Sequence, residues 1–254
     1  YICLSIKFYR NKKMVIISDF MPIPNKALSK HLHYQLIHDI RNFTQYKRSS
    51  YLNTADRMQM SQWRKSNKII TVSNFTKSEL IDRCSIKSED IFVSPNGLDN
   101  KYYDMQSSLA RDIDISYIAT FEKRKNHKKI IYAVKDLIKD FKNLVYLIAG
   151  EGPEMKKICK LIDKLNLKNN VKILGKVNES DKAFLFKISD LHVMPTIQDK
   201  RSISIEGFGI SYIESGMHGI PSISSGLGGT KESVINGKTG IICNPNNIFS
   251  IKDS

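Results

Sequence analysis

DISYIATFEKRKNHKKIIYAVKDLIKDFKNLVYLIAG (114–150) carries the pattern that decides the fold. Two short apolar runs, 114–119 and 144–150, flank a segment (126–141) whose apolar residues return every three or four positions. Apolar runs of that length, bounded by turn residues, read as buried strands, and the segment between them reads as an amphipathic helix. The alternation continues downstream with a helix at 154–166, a strand at 171–174, a helix at 179–188 and a strand at 191–195. A helix at 209–218, a strand at 220–225, a short helix near 230–235 and a strand at 240–243 follow. Such alternation predicts an α/β, doubly wound parallel sheet whose ligands sit at the carboxyl ends of its strands. The closing NNIFSIKDS reads as lacking a final helix.

Upstream, MVIISDF (14–20) reads as a strand. Leu32, Leu36, Ile40 and Phe43 recur at helical spacing and predict a helix, with a second, more polar helical stretch near 51–65. KIITVS (68–73) is a strand running into a helix, for which Thr76 and Glu79 have the spacing of a capping box. DIFVSP (90–95) is a third strand, and Pro95-Asn96-Gly97 marks a turn. Residues 98–112 are irregular and polar and read as an interdomain linker. The predicted division is an N-terminal domain over 1–105 and a C-terminal domain over 106–254.

A chain of 254 residues suffices for two such cores, and its hydrophobic content of 41 % is that of a globular protein. No apolar run approaches the ~18 residues of a membrane span. The opening YICLSIKFYRNKK has no initiator Met, does not match a signal peptide and enters a strand at once, which predicts a chain starting inside a domain. Cys3, Cys84, Cys159 and Cys243 form no CxxC pair, the usage expected of reduced thiols in a cytoplasmic protein. On the predicted helix His31 and His38 share a face that His33 does not, and no Cys or carboxylate completes a set, so no metal site is expected. The net charge is +15, with 13 Lys/Arg against 3 Asp/Glu over 1–68 and 8 against 3 over 120–142. That field attracts polyanions, whether nucleic acid, an anionic membrane surface or phosphorylated substrates. A basic-aromatic RNA pattern is lacking, and a nucleic-acid partner is not expected.

The most specific stretch is MPTIQDKRSISIEGFGISYIESGMHGIPSISSGLGGTKESVINGKTGIICNP (194–245). Glu206 ends a loop, and Gly207, Phe208 and Gly209 let the backbone approach a ligand before a helix begins around Ile210. A helix N-terminus with exposed amides suits a phosphate. Glu214 follows eight residues after Glu206. Two carboxylates about two helical turns apart, roughly 12 Å at 1.5 Å per residue, cannot share a proton but can grip separate parts of an extended ligand. A second amide-rich loop, SSGLGGTKE (224–232), brings Gly228 and Gly229 to another helix start at Thr230. Together the loops predict a cleft for a diphosphate.

The ordered series E-G-F-G-x-x-x-x-E, the G-x-P strand, the G-G-x-x-E loop and the N-G-x-x-G turn resembles glycosyltransferase family 4, retaining enzymes of the GT-B fold with two Rossmann-like domains. TVSNFTKSEL (71–80), VSPNGLD (93–99), TFEKRKNHKKIIYA (120–133), LIAGEGPE (147–154) and VKILG (171–175) extend the resemblance over roughly 70–254. The resemblance implies that Glu214 binds the nucleotide ribose, that Glu206 contacts the donor sugar near its reacting carbon, and that Lys125 beside Arg124 neutralises the donor diphosphate. Gly150 belongs to the same implied donor site. It further implies no metal or cofactor, a nucleotide-sugar donor (GDP-mannose or a UDP-hexose) and a glycan or lipid-linked acceptor. The implied setting is cytoplasmic, on the inner face of the plasma membrane, where the basic 1–68 region would dock. The insert before Glu206 is similar to that of bacterial mannosyltransferases, which favours GDP-mannose.

The sequence also departs from the family pattern. Ala119 and Thr120 stand where Gly and often Arg are usual, and Ser18-Asp19 stands where many members have His-Asp, leaving Asp19 as the acceptor-side candidate. The family's first glycine-rich loop and its C-terminal crossing helix have no counterpart here, which predicts a truncated chain. Three other readings stay open: a nucleotide-binding fragment without turnover, a nucleotide-sugar epimerase of the same fold, and a basic nucleic-acid-binding domain.

Overall fold

The computed structural model describes residues 15–19, 31–40, 54–98, 114–198 and 204–254. Outside the described residues fall the predictions for 1–14, the loop after the first strand, Phe43, nearly all of the 98–112 linker, and 199–203 of the insert before Glu206. The chain divides into two units, 1–96 with 201–203 and 97–200 with 204–254.

The first unit holds a four-stranded sheet in the order β1-β2-β3-β4: β1 (Val15–Asp19), β2 (Leu32–Ile37), β3 (Lys68–Thr71) and β4 (Ile91–Val93). All three pairings are parallel. Helix α1 (Thr54–Lys65) and helix α2 (Asn74–Cys84) pack Trp63, Leu80 and Cys84 against Ile37, Ile69 and Ile91. The helix predicted through Leu32, Leu36 and Ile40 is instead strand β2. Its inward set is His33, Gln35 and Ile37, so two of the three core-facing positions are polar and the period of two is hidden. These polar groups are matched: His33 Nε2 lies 2.7 Å from Ser18 Oγ, His33 Nδ1 3.1 Å from Ser66 Oγ, and Gln35 Nε2 donates to the Ser18 carbonyl at 2.9 Å. His31, His33 and His38 therefore share no helix face. Among the described residues no group of His, Cys, Asp and Glu could hold a metal ion. Helix α2 is capped by Ser73, whose side chain accepts from the Thr76 amide at 3.0 Å, three residues before the predicted cap.

The second unit holds a six-stranded sheet in the order β10-β9-β8-β5-β6-β7. Its strands are β5 (Asp114–Ile118), β6 (Val145–Ala149), β7 (Val171–Gly175), β8 (Leu191–Met194), β9 (Ser222–Ser224) and β10 (Gly240–Ile242). All five pairings are parallel. The crossovers are α3 (His127–Leu137), α4 (Met155–Lys164), α5 (Glu179–Ile188), α6 (Ile210–Met217) and the single turn α7 (Thr230–Ser233). The chain starts this sheet in the middle, moves outward through β6 and β7, then returns to lay β8 against the other side of β5. That reversal makes a switch point between the carboxyl ends of β5 and β8, where a ligand crevice opens in sheets of this kind. The NNIFSIKDS segment does form a helix, α8 (Ile248–Lys252), capped by Asn247 and burying Ile251 in the core. Five residues were too few for a periodic signal.

Two histidines, His127 and His192, are buried beside the aromatics of this mostly aliphatic core. His127 lies 4.2 Å from the Tyr117 ring and stacks on Phe121 at 4.5 Å, and burial pulls its pKa down to about 4. His192, on β8, is pulled down by burial to about 3. Both groups prefer the neutral form in the folded state. The unfolded chain, with the ordinary histidine value of 6.5, therefore takes up protons first. Their contribution is whole above pH 6.5 and is lost progressively as pH falls toward 4 and below. Urea unfolding followed by circular dichroism is expected to show a midpoint dropping steadily from pH 7 to pH 4.5. A flat profile over that range would contradict it.

Candidate functional site

The turn that follows β5 is built by residues 123–126. Lys123–Lys125 forms one 3-10 turn, and Asn126 leaves it in the left-handed conformation at φ 63°. Asn126 Nδ2 donates to the carbonyls of Pro195 and Pro245, each at 2.9 Å, tying this turn to the segments after β8 and β10. The Tyr117 hydroxyl donates to the Lys125 carbonyl at 2.7 Å, and the Ile197 amide donates to the Arg124 carbonyl at 2.8 Å. Four anchors thus fix the backbone, so the two basic side chains are aimed rather than free to search.

Both aim at Glu206. Arg124 Nη1 and Lys125 Nζ, the latter at 2.7 Å, donate to the same oxygen, Glu206 Oε2. Arg124 Nε reaches Glu122 Oε2 at 2.7 Å, and Lys125 Nζ lies 3.4 Å from Met194 Sδ at the end of β8. The cluster therefore sits at the switch point between β5 and β8. Side-chain exposure is 7 % for Arg124, 9 % for Lys125 and 15 % for Glu206. Burial by itself would raise the Glu206 carboxyl, but Lys125 and Arg124 outweigh it through charge and hydrogen bonding and hold it at about 2. Burial acts to lower Arg124 as well, and Glu206 with Glu122 overrides it and raises the guanidinium. At neutral pH Glu206 is an ionised acceptor with no proton to donate.

The backbone beyond Glu206 is held just as closely. The Gly229 amide donates to the Glu206 carbonyl at 2.9 Å, and a Cβ at Gly229 would fall 1.8 Å from the Gly207 carbonyl oxygen. Gly229 thus joins the two glycine-rich loops and does not present its amide to a ligand. Phe208 is buried, with its carbonyl accepting from Ser233 Oγ. Gly209 has φ 86°, and a Cβ there would meet the Tyr212 ring at 2.5 Å. Gly228 has φ 63°, a second left-handed position that favours glycine. Ile210 opens α6, whose first amides have no acceptor within the helix. Because α6 starts only there, helical rise applies to part of the Glu206-to-Glu214 interval, and the 12 Å expectation does not carry over.

Glu214 lies on α6 with Lys182 Nζ 2.6 Å from its Oε1, and Lys182 also reaches Glu179 Oε2 at 2.7 Å. Burial works against the Lys182 ammonium, and the two carboxylates more than compensate, raising it. Gly150 serves backbone approach: its amide donates to the Gly175 carbonyl at 2.7 Å, and a Cβ would sit 2.0 Å from the Ala119 oxygen. Asp19 belongs to the first unit, where its exposed carboxylate lies 3.8 Å from His38 Nε2. Sequence reasoning missed Glu122, Lys182 and the anchoring role of Asn126. Lys182 was hidden because one lysine among many carries no signal until a partner across the fold is seen.

The parallel α/β sheet reverses its order beside a buried cation-carboxylate cluster, the place where sheets of this kind open a ligand crevice. Residues 104–254, more than half of the chain, match the family model described as glycosyl transferases group 1, and the chain belongs to that family. It is 25 % identical to the glycogen synthase of Mycobacterium tuberculosis over 190 residues, 74 % of this chain and 44 % of that protein. It is 24 % identical over 131 residues to the GDP-mannose-dependent alpha-(1-6)-phosphatidylinositol monomannoside mannosyltransferase of the same organism, covering 52 % of this chain and 34 % of that one. A crystal structure of Anabaena HepE in complex with UDP superposes with a TM-score of 0.77 at 18 % identity, over 99 % of this chain and 70 % of that one. At that identity the likeness is one of fold, and the fold is the α/β GT-B type. The chain spans less than half the length of the curated relatives it matches.

Proposed function

We propose that this chain supplies the donor site of a retaining glycosyltransferase that moves a hexose from a nucleoside-diphosphate sugar to a glycan or lipid-linked acceptor. The observation that carries the reading is the convergence of Arg124 and Lys125 on Glu206 at the β5–β8 switch point, followed by Glu214 on α6. In the reaction the bond between the anomeric carbon and the phosphate oxygen breaks, and its electron pair leaves with the nucleoside diphosphate. The acceptor hydroxyl oxygen forms the new bond to that carbon, and its proton goes to the departing phosphate oxygen. Negative charge thus grows on the diphosphate as the bond breaks. Two buried cations held in place beforehand stabilise that charge more in the transition state than in the ground state. The opening amides of α6 add to the same field.

Glu206 is ionised, so its part is to accept hydrogen bonds from sugar hydroxyls beside the reacting carbon. Glu214, steadied by Lys182, grips the ribose. Asp19 is proposed on the acceptor side. GDP-mannose is the favoured donor, in keeping with the mannosyltransferase relative; the UDP in the HepE structure keeps a UDP-hexose as the second choice. Incubation with GDP-mannose or a UDP-hexose and lipid or glycan acceptors, with the anomeric configuration of the product read by NMR, tests the reaction. Product of inverted configuration would overturn retention.

Among the described residues no helix is long and apolar enough to cross a membrane. Attachment to an anionic leaflet is proposed from the basic charge. Vesicle sedimentation tests it, and binding indifferent to anionic lipid and salt would end that proposal.

A further inference from the structure

The two cations assigned to the donor diphosphate are already occupied. Glu206 Oε2 accepts from both Arg124 and Lys125, and Arg124 Nε is bound to Glu122. Two cations and two carboxylates close a cluster with no net charge, three of whose side chains are 15 % exposed or less. An anion arriving at this place meets the Glu206 carboxylate before it meets a free cation. It must displace that carboxylate or lie against it, and in a site largely withdrawn from water like charges at contact cost far more than on an open surface.

The two ligands of the proposed reaction face this obstacle unequally. A nucleotide sugar bears hydroxyl donors next to its diphosphate, and these can hydrogen-bond the displaced carboxylate. A free nucleoside diphosphate has no hydroxyl there, and its terminal phosphate carries more negative charge. We propose that Glu206 is a specificity-determining residue, a resident anion that occupies Arg124 and Lys125 and so makes the site favour nucleotide sugar over free nucleoside diphosphate. The inference rests on the donor-site reading given above and adds to it the discrimination between substrate and product. The consequence for the enzyme is release of the spent nucleotide: when the sugar leaves, the carboxylate loses its hydroxyl partners and competes again for the cations.

Calorimetric titration at pH 7.5 tests this, with GDP, UDP, GDP-mannose and UDP-glucose in the absence of acceptor, on the wild type and Glu206→Gln. Glutamine keeps the shape and a hydrogen-bond acceptor but removes the charge. The expected result is nucleoside diphosphate binding tightened about tenfold or more, with the nucleotide sugar tightened less or weakened, so that the preference shifts toward free diphosphate. Unchanged or weaker diphosphate binding in Glu206→Gln, with the wild type binding normally, overturns the inference and leaves the donor-site reading intact. A folded wild type that binds none of these nucleotides overturns both. If Glu206→Gln does not fold, Glu122→Gln carries the test. It removes the other carboxylate contact of Arg124, so free nucleoside diphosphate should tighten there as well, and an unchanged diphosphate affinity would overturn the competition.

Discussion

Lys125→Met is expected to lower the rate of sugar transfer by about 10²- to 10³-fold, the range found when one preorganised charge-stabilising group is removed. The loss should fall on kcat more than on KM, because the ammonium matters most as charge develops on the departing diphosphate. Folding should survive the change. Arg124 still pairs with Glu206, so no buried carboxylate is stranded, and the methionine side chain fills the space against Met194. A purely structural lysine would give the opposite pattern, with a lowered melting temperature and an unaltered turnover per folded molecule. Steady-state kinetics of nucleotide release, with a thermal melt on the same preparation, separates the two. A kcat within about threefold of wild type would remove Lys125 from the mechanism.

Gly229→Ala is expected to be nearly as damaging by a different route. Its φ of −76° is open to any residue, so conformational freedom is not the issue. The added methyl would lie 1.8 Å from the Gly207 carbonyl oxygen, 2.5 Å from its carbon and 3.0 Å from the Phe208 nitrogen. All three are backbone atoms, and no side chain can swing away to relieve the clash. The loops must part, which breaks the bond from the Gly229 amide to the Glu206 carbonyl and shifts Glu206 off its cations. A displacement near 1 Å of a positioned group costs on the order of 10²-fold in rate, and the overpacking itself costs about 1–3 kcal/mol of stability. Activity and denaturant midpoint should fall together. Alanine at 229 with wild-type activity would show that the loops are not in the tight contact described.

The second unit was largely legible because its core strands are continuous apolar runs and its helices keep one apolar stripe. Ile130, Ile131 and Val134 on α3 and Tyr146 and Ile148 on β6 all face the interior. The first unit was less so, for a physical reason seen at β2. His33 and Gln35 are buried there because Ser18 and Ser66 satisfy them, whereas Leu32 and Leu36 point the other way. A residue's burial then follows from its hydrogen-bond partners, and spacing along the chain does not reveal these.

The candidate site divides along the same line. The glycines announced close backbone approach, yet Gly150 and Gly229 turned out to bind other parts of the fold instead of offering amides. The meeting of Arg124, Lys125 and Glu206 joins positions about eighty apart in sequence. The resemblance assigned these residues to separate parts of the donor without pairing them, and no local rule links residues at that distance. Glu122 and Lys182 lay beyond reach altogether, being partners chosen by the fold.

The β5–β8 switch point is proposed as a nucleotide-sugar site with Glu214 on the ribose. Calorimetric titration of the folded chain with GDP, UDP and ADP, repeated on Glu214→Ala, tests it most directly. Saturable binding of one of these nucleotides in preference to the others is expected, weakened about tenfold or more in the variant by loss of a charged hydrogen-bond acceptor. Absence of binding to all three, or binding that Glu214→Ala leaves untouched, would contradict it.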